Sequence, residues 1–301
     1  MVNINEYSKI VGSEIIDGLY IIADKLKGKM IQHINSTAVG GGVAEILTRM
    51  IPLLKQLNVE SRWDVIKGDE KFYAITKAFH NALHGVPTKF KKEDFEYFVE
   101  VNRQNSKEIT FDGDLIFVHD PQPICLVEKK IKSKTKWAWR CHIDFTNPQD
   151  DVMNFLEKYI EQYDCSVFSA PAFSRKLKIP QVLISPSIDP LSDKNKELPE
   201  ETIRNIVEKY GIDTSRPIVS QISRFDYLKD PVGVVEVYKK VKKYNDCQLV
   251  LAGGGATDDP EGMKVLDEVK EASAGDEDIH ILFLPPSSDI EINALQRAST
   301  I

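Results

Sequence analysis

Short apolar runs alternate along this chain with longer stretches in which apolar residues recur every three or four positions. That is the pattern of strands alternating with helices in an α/β protein. Residues 30–34 read as a strand. Beyond Gly40, Gly41 and Gly42, the residues Val43, Ile46, Leu47, Met50, Ile51 and Leu54 fall at helical spacing, and Pro52 among them predicts a kink. Further strands are expected at 59–66, 115–118, 136–142, 166–169 and 182–184, with helices at 70–84, 92–103 and 151–163. In 136–142 the alternation puts Trp137, Trp139 and Cys141 on one face and Ala138, Arg140 and His142 on the other.

Residues 186–200 are polar and rich in proline, and they read as a linker. A second series follows: a helix to Tyr210 closed by Gly211, a strand at 217–222 and a helix at 231–243. A strand at 248–252, a helix near 261–273, a strand at 280–284 and a helix near 289–298 complete it. The expected organisation is two domains, residues 1–190 and 191–301. The second shows about three strands, where such sheets have about five or six. The chain closes on Ala298, Ser299, Thr300 and Ile301, which read as the opening of another strand. An incomplete second domain is therefore expected, with a small three-stranded lobe as the alternative.

Composition narrows the function. With 39 Lys and Arg against 46 Asp and Glu, the 301 residues carry a formal charge of −7, which argues against a protein dedicated to nucleic acid. No apolar run is long enough to cross a membrane and the N-terminus lacks the features of a signal peptide, so a cytoplasmic location is expected. Cys125, Cys141, Cys165 and Cys247 are scattered in strand-like runs, as free thiols in a reducing compartment would be. Charged residues reach 28%, a composition that leans toward a thermophilic source.

The chemistry concentrates at strand ends. The stretch from Ser220 to Pro231 runs out of a strand to Arg224, reaches Lys229, and starts a helix with Asp230 as N-cap and Pro231 at its first position. Two cations ahead of a helix start suit a polyanion, most simply a diphosphate; two surface cations near a turn explain the pattern as well. The glycines at 40–42 sit between strand and helix, where backbone can approach a ligand closely or simply turn tightly. They match neither GxGxxG nor a P-loop. Gly253, Gly254 and Gly255 also follow a strand, but Asp258, Asp259 and Glu261 come next, which favours a turn over a phosphate site. His142 and Asp144, and likewise His119, Asp120 and Gln122, lie at strand ends, where they suit sugar hydroxyls or serve only as satisfied end residues. His80 and His84 are four apart without the Glu of a zinc-protease motif, and no metal cluster is indicated.

Taken in order, five segments carry a resemblance: Gly40-Gly41-Gly42-Val-Ala-Glu, His119-Asp-Pro-Gln-Pro, Trp139-Arg-Cys-His-Ile-Asp, Ser223-Arg-Phe-Asp-Tyr-Leu-Lys-Asp-Pro and Leu251-Ala-Gly-Gly-Gly-Ala-Thr-Asp-Asp-Pro-Glu-Gly. From about residue 30 onward the chain resembles the trehalose synthase and trehalose phosphorylase group in family four of the retaining glycosyltransferases. The resemblance implies a GT-B fold, two Rossmann-like domains facing across a cleft, with the second incomplete here. It implies glucosyl transfer between a nucleoside diphosphate glucose (UDP, ADP or GDP) and glucose to give trehalose, with phosphorolysis of trehalose as the alternative. Arg224 and Lys229 match the family's diphosphate-binding pair, and His142 its donor-site histidine; these three are the expected catalytic residues. Gly40, Gly41 and Gly42 match the loop beside sugar and phosphate, and Leu284 and Pro285 the place of the base. Asp120, Gln122 and Asp144 are the expected acceptor-binding residues. No cofactor or metal is implied, no membrane or nucleic-acid partner, and a homodimer is common in the group. The family's Glu-x7-Glu signature is missing from residues 285–301, where Glu291 has no matching partner, which also leaves an inactive nucleotide- or sugar-binding fragment as a reading.

Overall fold

In the computed structural model, which describes residues 3–130, 135–254 and 261–301, the chain divides into two compact units, Met1–Ser187 and Ile188–Ile301. The first opens with helices α1 (Ser8–Val11) and α2 (Ser13–Asp24), which the periodicity does not announce. Then come β1 (Met30–Asn35), α3 (Gly42–Gln56), β2 (Glu60–Val65), α4 (Glu70–Leu83), α5 (Lys92–Glu108) and β3 (Leu115–His119). The unit continues with β4 (Lys136–Arg140), α6 (Asp150–Ile160), β5 (Cys165–Phe168) and β6 (Gln181–Leu183). Local chemistry sets several of these boundaries. Asp69 caps α4 by accepting the Phe72 N–H at 2.9 Å. α3 carries Pro52 in its interior and continues to Gln56.

The six strands form one parallel sheet in the order β2-β1-β3-β4-β5-β6. Register places Ile34 opposite Val118 and Val118 opposite Trp139. All three are fully buried, as are Ile116 and Trp137 in the row below. This face packs on Phe72, Phe79, Phe98, Leu126 and Leu156. As the alternation required, Trp137, Trp139 and Cys141 share that core; Ala138 and Arg140, on the opposite face, are buried too. That opposite face also holds His33, Phe117 and His119.

The second unit contains α7 (Glu200–Glu208), β7 (Ile218–Ile222), α8 (Pro231–Val241), β8 (Gln248–Gly253), α9 (Gly262–Ala272), β9 (Ile279–Phe283) and α10 (Asp289–Ala298). Its strands are parallel in the order β7-β8-β9. β8 is buried along its whole length: Leu249 and Leu251 pack with Val235, Val265 and Val269, while Val250 and Ala252 pack with Val207, Ile218 and Leu295. Gly211 ends the α7 region at φ 76°.

The stretch read as a linker is anchored. Asn293 Nδ2 on α10 donates to Asp193 O (2.9 Å) and Lys196 O (2.7 Å), and Ser192 is buried. Polar, proline-rich composition here serves turns that need side-chain partners, not a free tether. At the other end, Thr300 N–H donates to Ile218 O and Ser220 N–H to Ile301 O, each at 2.8 Å. The residues that read as an opening strand do bond along β7.

Candidate active site

In the first sheet the strand order reverses at β1: β2 lies on one side of it and β3 on the other. Ligands of such sheets bind beyond the carboxyl ends at that switch point. The segment leaving β1 is shaped by its own side chains. Asn35 Nδ2 donates to Thr37 O (2.7 Å), Asn35 Oδ1 accepts from Trp63 Nε1 (2.7 Å), and Thr37 Oγ1 donates to Val39 O (2.7 Å). Gly40 and Gly41 then turn at φ 77° and 81°, which glycine adopts without strain. Gly41 is the N-cap of α3 and supplies no side-chain cap. A Cβ added at Gly41 or Gly42 would meet nothing within 4 Å. Gly42 has no positive φ, so neither backbone strain nor packing demands glycine there; close approach by a ligand would.

The ends of β3 and β4 are clamped by Asp120, a non-glycine residue at φ 63°. Its N–H donates to Arg140 O (2.8 Å), its Oδ1 accepts from His142 N–H (2.7 Å), and its carbonyl accepts from Trp139 Nε1 (2.9 Å). Asp120 therefore orients His142. His142 Nε2 lies 3.1 Å from His119 Nδ1. Burial holds the His142 imidazole below its ordinary value, the charge of Arg140 adds to this, and the Asp120 carboxylate opposes it. His142 is thus neutral near pH 7. Asp144 Oδ1 accepts from both the N–H (2.7 Å) and the hydroxyl of Thr146, shaping the next loop. Gln122 is fixed by its main chain, whose carbonyl accepts from Asn102 Nδ2 (3.0 Å), while its Oε1 is buried without a partner among the described residues.

Sequence reasoning passed over two features of this edge. Arg140 is 8% exposed, donates Nη2–H to Ile184 O (3.0 Å), and has a buried Nε without an acceptor among the described residues. His33 stands behind His119 at 3.1 Å. The strand reading did place Arg140 on the face with His142, but nothing local marks a strand arginine as unpaired.

In the second unit the stretch after β7 folds around Asp226, which is 2% exposed. Asp226 Oδ1 accepts the Leu228 N–H (2.9 Å) and Oδ2 pairs with Arg224 Nη2 (3.4 Å). The carbonyl of Lys229 accepts from Gln221 Nε2 (2.7 Å), leaving its ammonium on an exposed stem. Asp230 caps α8 at φ 48°, accepting the Gly233 N–H (3.1 Å), with Pro231 at the first helical position. The cap has a consequence for chemistry. A carboxylate occupies the start of α8, so the positive character of this segment comes from Arg224 and Lys229 rather than from helix N–H groups.

Gly253 and Gly254 are demanded by packing. A Cβ on Gly253 would overlap Ser223 O, and one on Gly254 would lie 2.7 Å from Leu284 O. These glycines let the ends of β7, β8 and β9 touch through backbone, with Ser223 N–H donating to Ala252 O (3.0 Å) and Leu284 N–H to Gly253 O (2.8 Å). Gly255, Asp258 and Asp259 lie outside the described residues. Leu284 turns its side chain into the core beside Val250 and Ala294. Its strand end can offer a ligand main chain and the exposed Pro285, but not the leucine side chain. Phe283, 49% exposed and stacked on Phe225 at 6.3 Å, is the aromatic surface there. Among the described residues, no three His, Cys, Asp or Glu side chains cluster in a way that would hold a metal ion. No helix among them is long and apolar enough to cross a membrane.

The fold is shared with solved structures. An α,α-trehalose-phosphate synthase (UDP-forming) from Burkholderia xenovorans, solved with glucose-6-phosphate, superposes with a TM-score of 0.69 at 14% identity, over 90% of this chain and 78% of that one. The chain therefore has the GT-B fold. The trehalose synthase of Pyrococcus horikoshii is 42% identical over 99% of this chain and 73% of its own length. The family described as "Trehalose synthase, N-terminal domain" matches residues 33–175. The chain belongs to the trehalose synthase family. A trehalose phosphorylase from Pleurotus pulmonarius is 25% identical over 99% of this chain but 48% of its own length.

Proposed function

We propose that this protein transfers glucose from a nucleoside diphosphate glucose to the anomeric hydroxyl of free glucose, giving α,α-trehalose with retention, and that the reaction is reversible. The observation that carries this reading is the 42% identity to a trehalose synthase across nearly the whole chain. The geometry supplies parts that suit it. Negative charge grows on the leaving diphosphate as the glycosidic bond lengthens. Arg224, oriented by Asp226, and Lys229 would meet that charge, the first as a bidentate fork and the second as a point charge. His142 and the 40–42 loop would contact the donor sugar and phosphate, and the β9 end at Leu284 and Pro285 the base. Asp120, Gln122 and Asp144 would line the acceptor side. The acceptor oxygen bonds to the anomeric carbon on the face the diphosphate leaves, and its proton passes to the departing phosphate oxygen. No resident metal enters the scheme. In this reading Met1–Ser187 is the acceptor domain and Ile188–Ile301 the nucleotide-sugar domain.

The test is product formation. Incubation with UDP-, ADP- or GDP-glucose plus glucose is expected to yield α,α-trehalose and the matching nucleoside diphosphate. Glucose 1-phosphate formed only from trehalose plus inorganic phosphate would make the protein a phosphorylase. Calorimetric binding of a nucleoside diphosphate without turnover would make it a binding module.

A further inference from the structure

Three imidazoles form a chain from inside the first sheet to its carboxyl edge. His33 Nδ1 lies 3.1 Å from His119 Nε2, and His119 Nδ1 lies 3.1 Å from His142 Nε2. The register explains how they meet. His33 pairs with Phe117, and His119 is two residues further along β3. His119 pairs with Arg140, and His142 is two residues beyond that. Each step is a diagonal between neighbouring strands, within reach of an aromatic side chain. His33 and His119 are 3% and 2% exposed, with the Phe117 ring at 5.6 and 5.0 Å from theirs. At the inner end, His33 Nε2 is buried and has no hydrogen-bond partner among the described residues. At the outer end, His142 Nδ1 makes no hydrogen bond among the described residues.

Every group near the chain disfavours a second proton except one. Burial lowers all three imidazoles, His33 to about 4. The Arg140 guanidinium pushes His119 and His142 further down; the Asp120 carboxylate alone pulls His142 up. Near pH 7 each ring therefore carries one proton. A neutral imidazole has one N–H and one lone pair, so His119 donates to one neighbour and accepts from the other. Both hydrogen bonds must run in the same direction. Running inward, they would leave His33 Nε2 with a buried N–H and no acceptor. Running outward, they leave that atom a bare lone pair. Orphaned buried N–H groups are the rarer outcome in folded proteins.

We propose that His33 and His119 are positioning residues that lock His142 as the Nδ1–H tautomer, so that it presents a fixed hydrogen-bond donor to a sugar hydroxyl oxygen at the sheet edge. The ligand's identity rests on the glucosyl-transfer reading above; the tautomer is a property of the free protein. A neutral donor suits an uncharged hydroxyl, and the dead end at His33 prevents the chain from reversing without a cost at its buried terminus. His119 and His33 touch no substrate in this scheme.

Long-range proton–nitrogen spectra of histidine-labelled, ligand-free protein at pH 7 read the tautomer directly. His142 is expected to be protonated at Nδ1 and bare at Nε2. In His119→Phe, which keeps a ring of similar shape, His142 is expected to lose that single form and to titrate closer to the ordinary 6.5. The acid limb of kcat/KM should move up in pH with it, and kcat/KM should fall by about tenfold to a hundredfold. His119→Asn, whose amide nitrogen sits near the Nδ1 position, should restore the tautomer and part of the rate. Protonation of His142 at Nε2 in the free wild-type protein would overturn the proposal, as would an unchanged His142 spectrum in His119→Phe. The expected spectrum in a protein that makes no trehalose would leave the tautomer lock standing and refute the glucosyl-transfer reading instead.

Discussion

Arg224 depends on Asp226 for its aim. The two oxygens of one buried carboxylate divide their work, Oδ1 closing the turn at Leu228 and Oδ2 drawing the guanidinium to the end of β7. Arg224→Met should therefore leave the turn intact, since Asp226 keeps its backbone partner, while removing the cation that the proposed reaction sets against the leaving group. A loss of about a hundredfold to a thousandfold in kcat is expected, about 3 kcal/mol in the barrier. Melting temperature should fall only modestly, because the Asp226 carboxylate loses a charged partner at 3.4 Å but keeps the Leu228 N–H. Steady-state kinetics beside a thermal melt checks this; a collapse of stability with the rate would show that Arg224 is structural. The Arg224 stretch was legible because its residues are neighbours in sequence: N-cap, proline and cations fall within eight positions. The histidine chain was not, because its members are 86 and 23 residues apart and meet only through the parallel order of β1, β3 and β4. Arg140 was hidden for a related reason. Its unpaired Nε is a fact about burial, and a strand pattern says which face a residue takes but not what waits there.

The two glycine loops look alike in sequence and differ as elements. Gly253 is fixed by the backbone of Ser223, so Gly253→Ala must push β7 and β8 apart. A destabilisation of about 1–3 kcal/mol is expected by denaturant titration, together with lost activity, since Arg224 follows directly on Ser223. Gly42 stands at the start of α3 with open space where a Cβ would go. Gly42→Ala should be neutral for the fold, within about 0.5 kcal/mol, yet raise KM if a ligand approaches that backbone. An unaltered KM would return the loop to a plain turn. The core elements were readable because their stripes are clean, as in α4, whose Phe72, Ile75, Phe79, Ala82 and Leu83 all face inward. α2 was missed because its apolar residues do not form one stripe: Ile16 is buried while Ile15, Ile21 and Ile22 are more than half exposed. Helical periodicity cannot be seen where all sides are apolar. The 186–200 segment contains the division between the two units at Ser187 and Ile188, but its composition did not show that its polar residues are held by Asn293 from a helix a hundred residues away.

Across the whole molecule, titratable groups are distributed unevenly between the two cores, and acid should expose this. His33 is held neutral by burial, with its value lowered from 6.5 to about 4. Its unfolded form takes up a proton at the ordinary value, so folding excludes that proton. The stability it contributes is complete above pH 6.5 and is lost as pH falls from there toward 4, about 3 kcal/mol for this residue. His119 and His142 have the same sign and lie in the same unit. The second unit contains a single histidine, His280, lowered by burial. Its Asp278, held low by hydrogen bonds from Arg216 and Lys242, loses its contribution only below the ordinary carboxylate range. Between pH 7.5 and 4.5 the first unit should therefore weaken much more than the second. The chain carries its own reporter, because Trp63, Trp137 and Trp139 all lie in Met1–Ser187. Tryptophan fluorescence follows that unit alone, whereas far-ultraviolet circular dichroism follows both. Urea titration at pH 4.5 should show a fluorescence midpoint lower by about 1 M or more, with a second dichroism transition that moves less. His33→Phe should shrink the shift, since a phenylalanine in that place has no proton to exclude. Superimposed fluorescence and dichroism transitions at both pH values would mean that the units unfold as one, and an unmoved fluorescence midpoint would mean that the buried imidazoles do not set the acid limit of this fold.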